Sequence, residues 1–346
     1  MQRLTNRNER HHICQILGRK MNRVVALFSG AGGLDLGFKR AGFDVQWANE
    51  YDKTIWQTYR ENHKSCNLDT RSITSIHVNE VPECDGIIGG PPCQSWSSAG
   101  SLRGIKDQRG QLFFDYIRIL DAKKPMFFLA ENVAGMLANR HAKSLSNIKS
   151  MLSDCGYKLY FKLLNAADYE VPQDRKRVIF IGIRNDIDTN YTFPKSITPK
   201  LNLRQTIWDI KDSAKAENPV NDTKGKNVEI PNHEYLTGGF SSLYMSRNRV
   251  RSWDQQSFTI QAGGRHAPLH PQAPKMEKIH QDKRIFSPGH EHLYRRLSVR
   301  ECARIQTFPD DFEFIYSNIL NGYKMIGNAV PVNFAFHLAQ SIKTIL

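Results

Sequence analysis

Cysteine is scarce and unpatterned: Cys14, Cys66, Cys84, Cys93, Cys155 and Cys302 form no Cys-x-x-Cys pair and no regular disulfide spacing. That lack argues against a zinc module or any other metal site and points to reduced thiols. Long apolar runs are missing as well. Nothing approaches the roughly 18 consecutive apolar residues that span a bilayer, and residues 1–20 hold no apolar signal core. The expectation is a cytoplasmic protein with no membrane partner. Acidic residues are in the minority, 34 against 48 Lys and Arg, which leaves a formal charge of +14. Such an excess suits a polyanion, because cations that neutralise phosphates release condensed counterions. A hydrophobic share of 40% argues against disorder.

What is present is ordered along the chain. Residues 1–20 are polar and basic and read as a flexible leader. Short apolar runs at 24–27, 45–48, 86–88, 126–130 and 178–183 then alternate with helical patterns such as 110–120. That alternation predicts an α/β domain, a doubly wound and mostly parallel sheet, over residues 21–185. Residues 186–296 break down into Pro, Asn, Lys, Gly and Ser and predict a second, smaller, irregular domain. Residues 297–346 read as a return segment that completes the first domain, ending in a helix near 333–345.

Three polar clusters sit at strand edges: the first two follow strands, at the carboxyl ends where open sheets bind ligands, and the third precedes the run at 178–183. The first is Phe28-Ser29-Gly30-Ala31-Gly32-Gly33, with Glu50 ending the next strand. Glycines let the backbone approach a ligand, and a carboxylate twenty residues on accepts from ribose hydroxyls. A nicotinamide loop would carry a third glycine where Asp35 stands, so the loop suits a phosphate-free adenosyl ligand such as S-adenosyl-L-methionine.

The second cluster is Gly89-Gly90-Pro91-Pro92-Cys93-Gln94-Ser95-Trp96-Ser97. A core thiol is not normally presented between prolines and a polar loop, so Cys93 is the candidate nucleophile. Glu131-Asn132-Val133 ends the next apolar strand, and Glu131 is expected in the same pocket. The third is Gln173-Asp174-Arg175-Lys176-Arg177, whose alternate arginines point to one side of an extended segment. Arg175 and Arg177 are therefore expected to hold a base carbonyl and a phosphate.

With these motifs in hand, the chain strongly resembles the DNA cytosine-5-methyltransferases. The likeness is carried by Phe28-x-Gly30-x-Gly32-Gly33, Pro91-Pro92-Cys93-Gln94, Glu131-Asn132-Val133, Gln173-x-Arg175-x-Arg177, Arg296-Leu297-Ser298-Val299-Arg300-Glu301 and Gly327-Asn328-Ala329-Val330-Pro331. It is nearest to bacterial restriction-modification methyltransferases of the HaeIII type. The resemblance implies double-stranded DNA in a cleft between two lobes. It also implies a cofactor site lined by Phe28, Gly30, Gly32, Gly33, Glu50, Pro92, Leu112, Asn328 and Val330. Where the family often has an acid at the adenine amino group, this chain has Arg71-Ser72-Ile73-Thr74, and Asp69 is the candidate substitute.

Arg247, Arg249, Arg251 and Arg265 are the candidate DNA readers, since arginine pairs bidentately with guanine. The resemblance implies the palindrome GGCC, methylated at its inner cytosine, with a restriction endonuclease of the same specificity as functional partner and a monomer as the default. Three rivals are an RNA methyltransferase of the same fold, a dead DNA-binding module and a cofactor-dependent oxidoreductase. The long span between the Arg177 and Arg296 motifs, the intact Cys93 and Glu131, and Asp35 argue against them in turn.

Overall fold

The computed structural model describes residues 22–92, 108–218 and 228–346, so the leader and Cys93 lie outside the described residues. The first domain alternates strand and helix from β1 (Arg23–Leu27) through α1 (Gly33–Arg40), β2 (Asp44–Asn49), α2 (Trp56–Asn62), β3 (Asn67–Asp69) and β4 (Gly86–Gly89). It continues with α3 (Gln108–Lys123), β5 (Phe127–Val133), α4 (Ala142–Asp154), β6 (Tyr157–Asn165) and β7 (Lys176–Arg184). The strand order is β3-β2-β1-β4-β5-β7-β6, and only β7 runs against its neighbours.

Both faces of the central strands β1, β4 and β5 are covered, which is why their cores read as unbroken apolar runs. Successive side chains serve opposite faces. Val24, Ala26 and Ile88 pack with Phe38 of α1, while Val25, Leu27 and Ile87 pack with Tyr116, Ile119 and Leu120 of α3. The chain's last helix closes the first of these faces.

Residues 186–296 hold few regular elements: α5 (Leu203–Ile207), the two-residue strands β8 (Lys215–Ala216) and β9 (Glu234–Tyr235), and a hairpin of β10 (Glu277–His280) and β11 (Lys283–Ile285). Beyond them lie three helices: α6 (Val299–Ile305), α7 (Ile319–Asn328) and α8 (Val332–Lys343). Phe334, Ala335 and Leu338 of α8 are fully buried against the α1 face. The irregular region is not sealed off from these three helices, since Leu203, Ile207, Ile260 and Ala267 share one cluster with Val299, Ile326 and Val332. A boundary at 296/297 therefore runs through packed side chains. No helix among the described residues is long and apolar enough to cross a membrane.

Candidate active site

The parallel strands deliver their carboxyl ends to one edge, and the polar clusters gather there. Glu131, near the end of β5, accepts an ion pair from Arg177 on β7, Nε to Oε1 at 2.7 Å. Asn132 turns the other way and donates to the Pro91 carbonyl at 3.0 Å, binding the end of β5 to the loop that leaves β4. That loop passes close to the carboxylate, because a Cβ on Gly90 would lie 3.3 Å from Glu131 Oε2. Beside the pair opens a recess of about 530 Å³ lined by Ala134, Asp174, Lys176, Arg177 and Thr259. Burial pushes the Cys66 and Cys84 thiols up to about 12 and Cys155 to about 11. Those three are held as inert thiols rather than as thiolates.

The glycine loop is wound tightly: Phe28 and Gly30 take φ of +56° and Gly32 +85°. An aromatic residue in that conformation is strained, and such strain gathers where a backbone is shaped for a ligand. Glu50 is pinned from two sides, its Oε2 accepting from the Gly30 amide at 2.9 Å and its Oε1 from the Asp52 amide at 2.7 Å. Burial raises its pKa, and its remaining lone pairs are left for a ligand. Gly33 must be glycine, since a Cβ would sit 2.3 Å from the Val330 carbonyl oxygen. Phe28 and Leu112 pack, partly buried, against the apolar cluster between the sheet and α3, Pro92 is half-buried, Val330 is buried and Asn328 is exposed at the end of α7.

Sequence reasoning missed several supports. Asp52 pairs with Lys324 of α7 at 2.7 Å, across a gap in the chain that no local pattern betrays. Asp35, noted only as a missing glycine, lies buried beneath the loop and accepts from the Tyr59 hydroxyl at 2.6 Å; burial lifts its carboxyl to about 6. Asp69 is engaged elsewhere: the Arg71 amide donates to it at 3.0 Å and Arg71 Nη2 at 2.7 Å, which holds its carboxyl low. Ser72 shares a hydroxyl contact of 2.8 Å with Thr74.

Arg175 needs correction. It does not face a base or phosphate beside Arg177; only 1% of its surface is exposed. Its Nη1 donates to the Ile260 carbonyl at 3.0 Å, and its Nη2 donates at 3.0 Å to both the Gly327 and Ala329 carbonyls. Alternation along an extended segment fixes a side chain's direction, not what it meets there. Burial first, then the charge of Arg177, pulls this guanidinium down to about 9.

The profile of the C-5 cytosine-specific DNA methylases matches residues 22–344. The chain belongs to that family. It is 56% identical over 329 residues to the type II methyltransferase M.NgoPII of Neisseria gonorrhoeae, covering 94% of this chain and 96% of that one. It is 55% identical over 327 residues to the type II methyltransferase M.FnuDI of Fusobacterium nucleatum, covering 94% and 95%. Among solved structures, a Spodoptera frugiperda DNMT2 variant superposes with a TM-score of 0.67 at 18% identity, covering 93% of this chain and 99% of that one. That likeness concerns the fold alone.

The methylase, then, is a DNA cytosine-5 methyltransferase, and its four candidate DNA readers are not equivalent. Arg247 and Arg265 are exposed. Arg251 donates to Asp174 at 3.1 Å and lies over the Phe258 ring. Arg249 contradicts the expectation of a presented reader. It is 9% exposed, its Nε donates to the Tyr244 carbonyl at 2.9 Å, and its guanidinium lies over the Tyr244 ring. Arg296 likewise holds the Gly238 and Gly239 carbonyls, at 3.1 and 2.9 Å. An irregular region offers no ladder for its carbonyls, and arginine's five donors satisfy them instead. Part of the positive charge is thus spent inside the methylase.

Proposed function

We propose that the methylase transfers a methyl group from S-adenosyl-L-methionine to carbon 5 of a cytosine flipped out of duplex DNA. The observation that supports this most is the Glu131–Arg177 ion pair, set against Gly90 and two strands from the glycine loop. In this reading Cys93, two residues beyond Pro91, supplies the nucleophile.

The cradle fits a phosphate-free adenosyl ligand. Glu50 is fixed by two amides so as to accept from ribose hydroxyls, the bare Cα of Gly33 brings Val330 up against the loop, and Asn328 is the exposed residue two positions before Val330. When bound, the cofactor supplies a methyl group on a positively charged sulfur. Phe28, Gly32, Pro92 and Leu112 are assigned to the same site, and Ser72 occupies the position where the family often places an acid at the adenine amino group, with Asp69 as the nearby carboxylate.

Carbon 5 of cytosine is too weak a nucleophile to take a methyl group unaided. The Cys93 thiolate therefore adds to carbon 6, and the displaced ring electrons move toward nitrogen 3, where Glu131 provides the proton. Arg177 both holds Glu131 and donates to the base carbonyl. Carbon 5, now an enamine carbon, would take the methyl group, with the neutral thioether as leaving group; a base then removes the carbon 5 proton, nitrogen 3 returns its proton to Glu131 and the sulfur–carbon 6 bond breaks, returning the thiolate. A stacked base is out of reach, so the target is flipped, at a cost on the order of a few kcal/mol that protein contacts offset.

We further infer that residues 186–296 form the DNA-reading region, with Arg247 and Arg265 presented to the groove. The target is GGCC, methylated at the inner cytosine on each strand. The methylase acts in the cytoplasm as a monomer and protects host DNA from a restriction endonuclease of the same specificity.

Three measurements test this. Duplex DNA containing 5-fluorocytosine at the target should trap a covalent adduct on a denaturing gel, and Cys93→Ser should abolish both adduct and methyl transfer. Labelled cofactor should mark duplex DNA and leave transfer RNA unmarked. Bisulfite sequencing of a methylated plasmid should read GGCC, and any other motif refutes the specificity while sparing the chemistry.

A further inference from the structure

Arg175 stands where three parts of the methylase meet. One of its nitrogens holds the Ile260 carbonyl, and another is shared by the Gly327 and Ala329 carbonyls. Gln173, two residues earlier, repeats the pattern: its Oε1 accepts from the Ile260 amide at 2.8 Å, and its Nε2 donates to Gln306 Oε1 at 2.7 Å. Gln306 in turn donates to the Ile326 and Ala329 carbonyls at 2.7 and 3.2 Å. All three side chains are buried. Outside this network the same two segments touch directly, since a Cβ on Gly327 would lie 2.3 Å from the Gln261 carbonyl.

The two segments lead to different ligands. Residues 326–330 form the wall that presses Val330 against Gly33. Residues 257–262 run on to Arg265, and Gln173 bridges to Ser257. Arg177, on the strand that begins just after Arg175, completes the pair with Glu131. A shift of either segment strands a hydrogen bond from a buried guanidinium that no water replaces. The spacing of cofactor wall, recognition segment and catalytic pair is therefore held as one quantity.

We propose that Arg175 is a positioning residue that couples cofactor binding to DNA binding by fixing the 326–330 wall and the 257–262 segment at one separation. The inference rests on the cofactor and DNA sites assigned under the proposed function. Each ligand presses on its own segment, so an ordered segment on one side lowers the cost of ordering the other, and the coupling is reciprocal. Lysine keeps the charge, but its three N–H donors sit on one nitrogen and cannot replace two guanidinium nitrogens that hold separate segments.

The test is a thermodynamic cycle on the full chain. The dissociation constant for S-adenosylhomocysteine is measured with and without a duplex carrying the site found by bisulfite sequencing. In wild type the duplex should tighten the homocysteine ligand by at least about fivefold, the lower end of ordinary coupling. Arg175→Lys should bring that factor to within about twofold of unity while each ligand alone still binds. Gln173→Ala, which removes the parallel link from the Ile260 amide to Gln306 and leaves the guanidinium in place, should also lower the factor and stands in if the lysine variant fails to fold. A merely structural role would weaken both ligands and leave the factor intact, and that result overturns the proposal. Equal coupling in wild type and both variants also overturns it. If wild type binds neither ligand, it is the underlying site assignment that fails, and the inference falls with it.

Discussion

Glu131 and Arg177 meet diagonally across antiparallel neighbours: Arg177 is in register with Val133 and Glu131 with Ile179, which puts both side chains on one face, 2.7 Å apart. Long side chains bridge such diagonals readily, and the pair enters the pocket together. Glu131→Gln keeps the shape and removes the proton donor and the charge that fixes Arg177. Turnover should fall about 10²–10⁴-fold, the usual worth of a general acid, with duplex affinity nearly unchanged. Methyl transfer from tritiated cofactor and a gel shift measure the two separately, and a variant of normal turnover would remove Glu131 from the reaction.

Gly33→Ala tests the cradle. The added methyl would collide with the Val330 carbonyl at 2.3 Å, so the α1 start and the 329–330 wall must separate. Cofactor affinity should drop at least about tenfold, a change of ~1.4 kcal/mol, while duplex binding in the absence of cofactor stays close to wild type. Calorimetric titration with S-adenosylhomocysteine gives the number.

The recognition arginines should separate by burial. Arg249→Ala removes a guanidinium held by the Tyr244 carbonyl and ring, and should lower the melting temperature. Arg265→Ala and Arg247→Ala should leave melting unchanged. A lost guanine contact relaxes sequence choice by about 1–3 kcal/mol, whereas a lost phosphate contact weakens all sequences alike and flattens the salt slope. Binding to matched and single-mismatch duplexes at two salt concentrations distinguishes these cases.

Acid should destabilise the methylase below neutrality. Burial lowers His63 and His270 from 6.5 to about 4. A depressed histidine adds stability that is complete above pH 6.5 and is lost as pH falls toward 4, up to about 3 kcal/mol each. Asp35 has the opposite sign. Lifted from 3.8 to about 6, it favours the fold below 3.8 and loses that as pH rises through 6, so it offsets one histidine. The melting temperature should climb from pH 4 to 6.5. His63→Phe, which preserves the stacking on Tyr59, should flatten the climb. A wild-type melting curve that is level across this range would show that these burial effects are smaller than the geometry implies.

Strands β1, β2, β4 and β5 were legible because burial on both faces writes an unbroken apolar run. Edge strand β6 was not, since its exposed Lys158, Phe161 and Lys162 break both run and alternation. The reversal of β7 was invisible because periodicity carries no direction. Glu131 and Glu50 could be placed from strand ends alone. The buried roles of Arg175 and Arg249 could not, because the carbonyls that hold Arg175 lie 85 to 154 positions away, and Arg249 answers to a turn with no regular pattern. An arginine's spacing looks the same whether it faces water, phosphate or a carbonyl.

Gly33 and the Val330 carbonyl it touches are 297 positions apart, and the apolar face of α1 is closed by α8, made about as long after it. At ribosomal speeds of about 5–20 residues per second, roughly 15–60 s pass between their emergence. Throughout that interval the side of α1 that meets α8 around Gly37 lacks this cover, which offers chaperones a grip and aggregation an opening. The growing chain also has only half of the proposed cofactor cradle, because the Val330 wall reaches Gly33 only once this far segment has folded back.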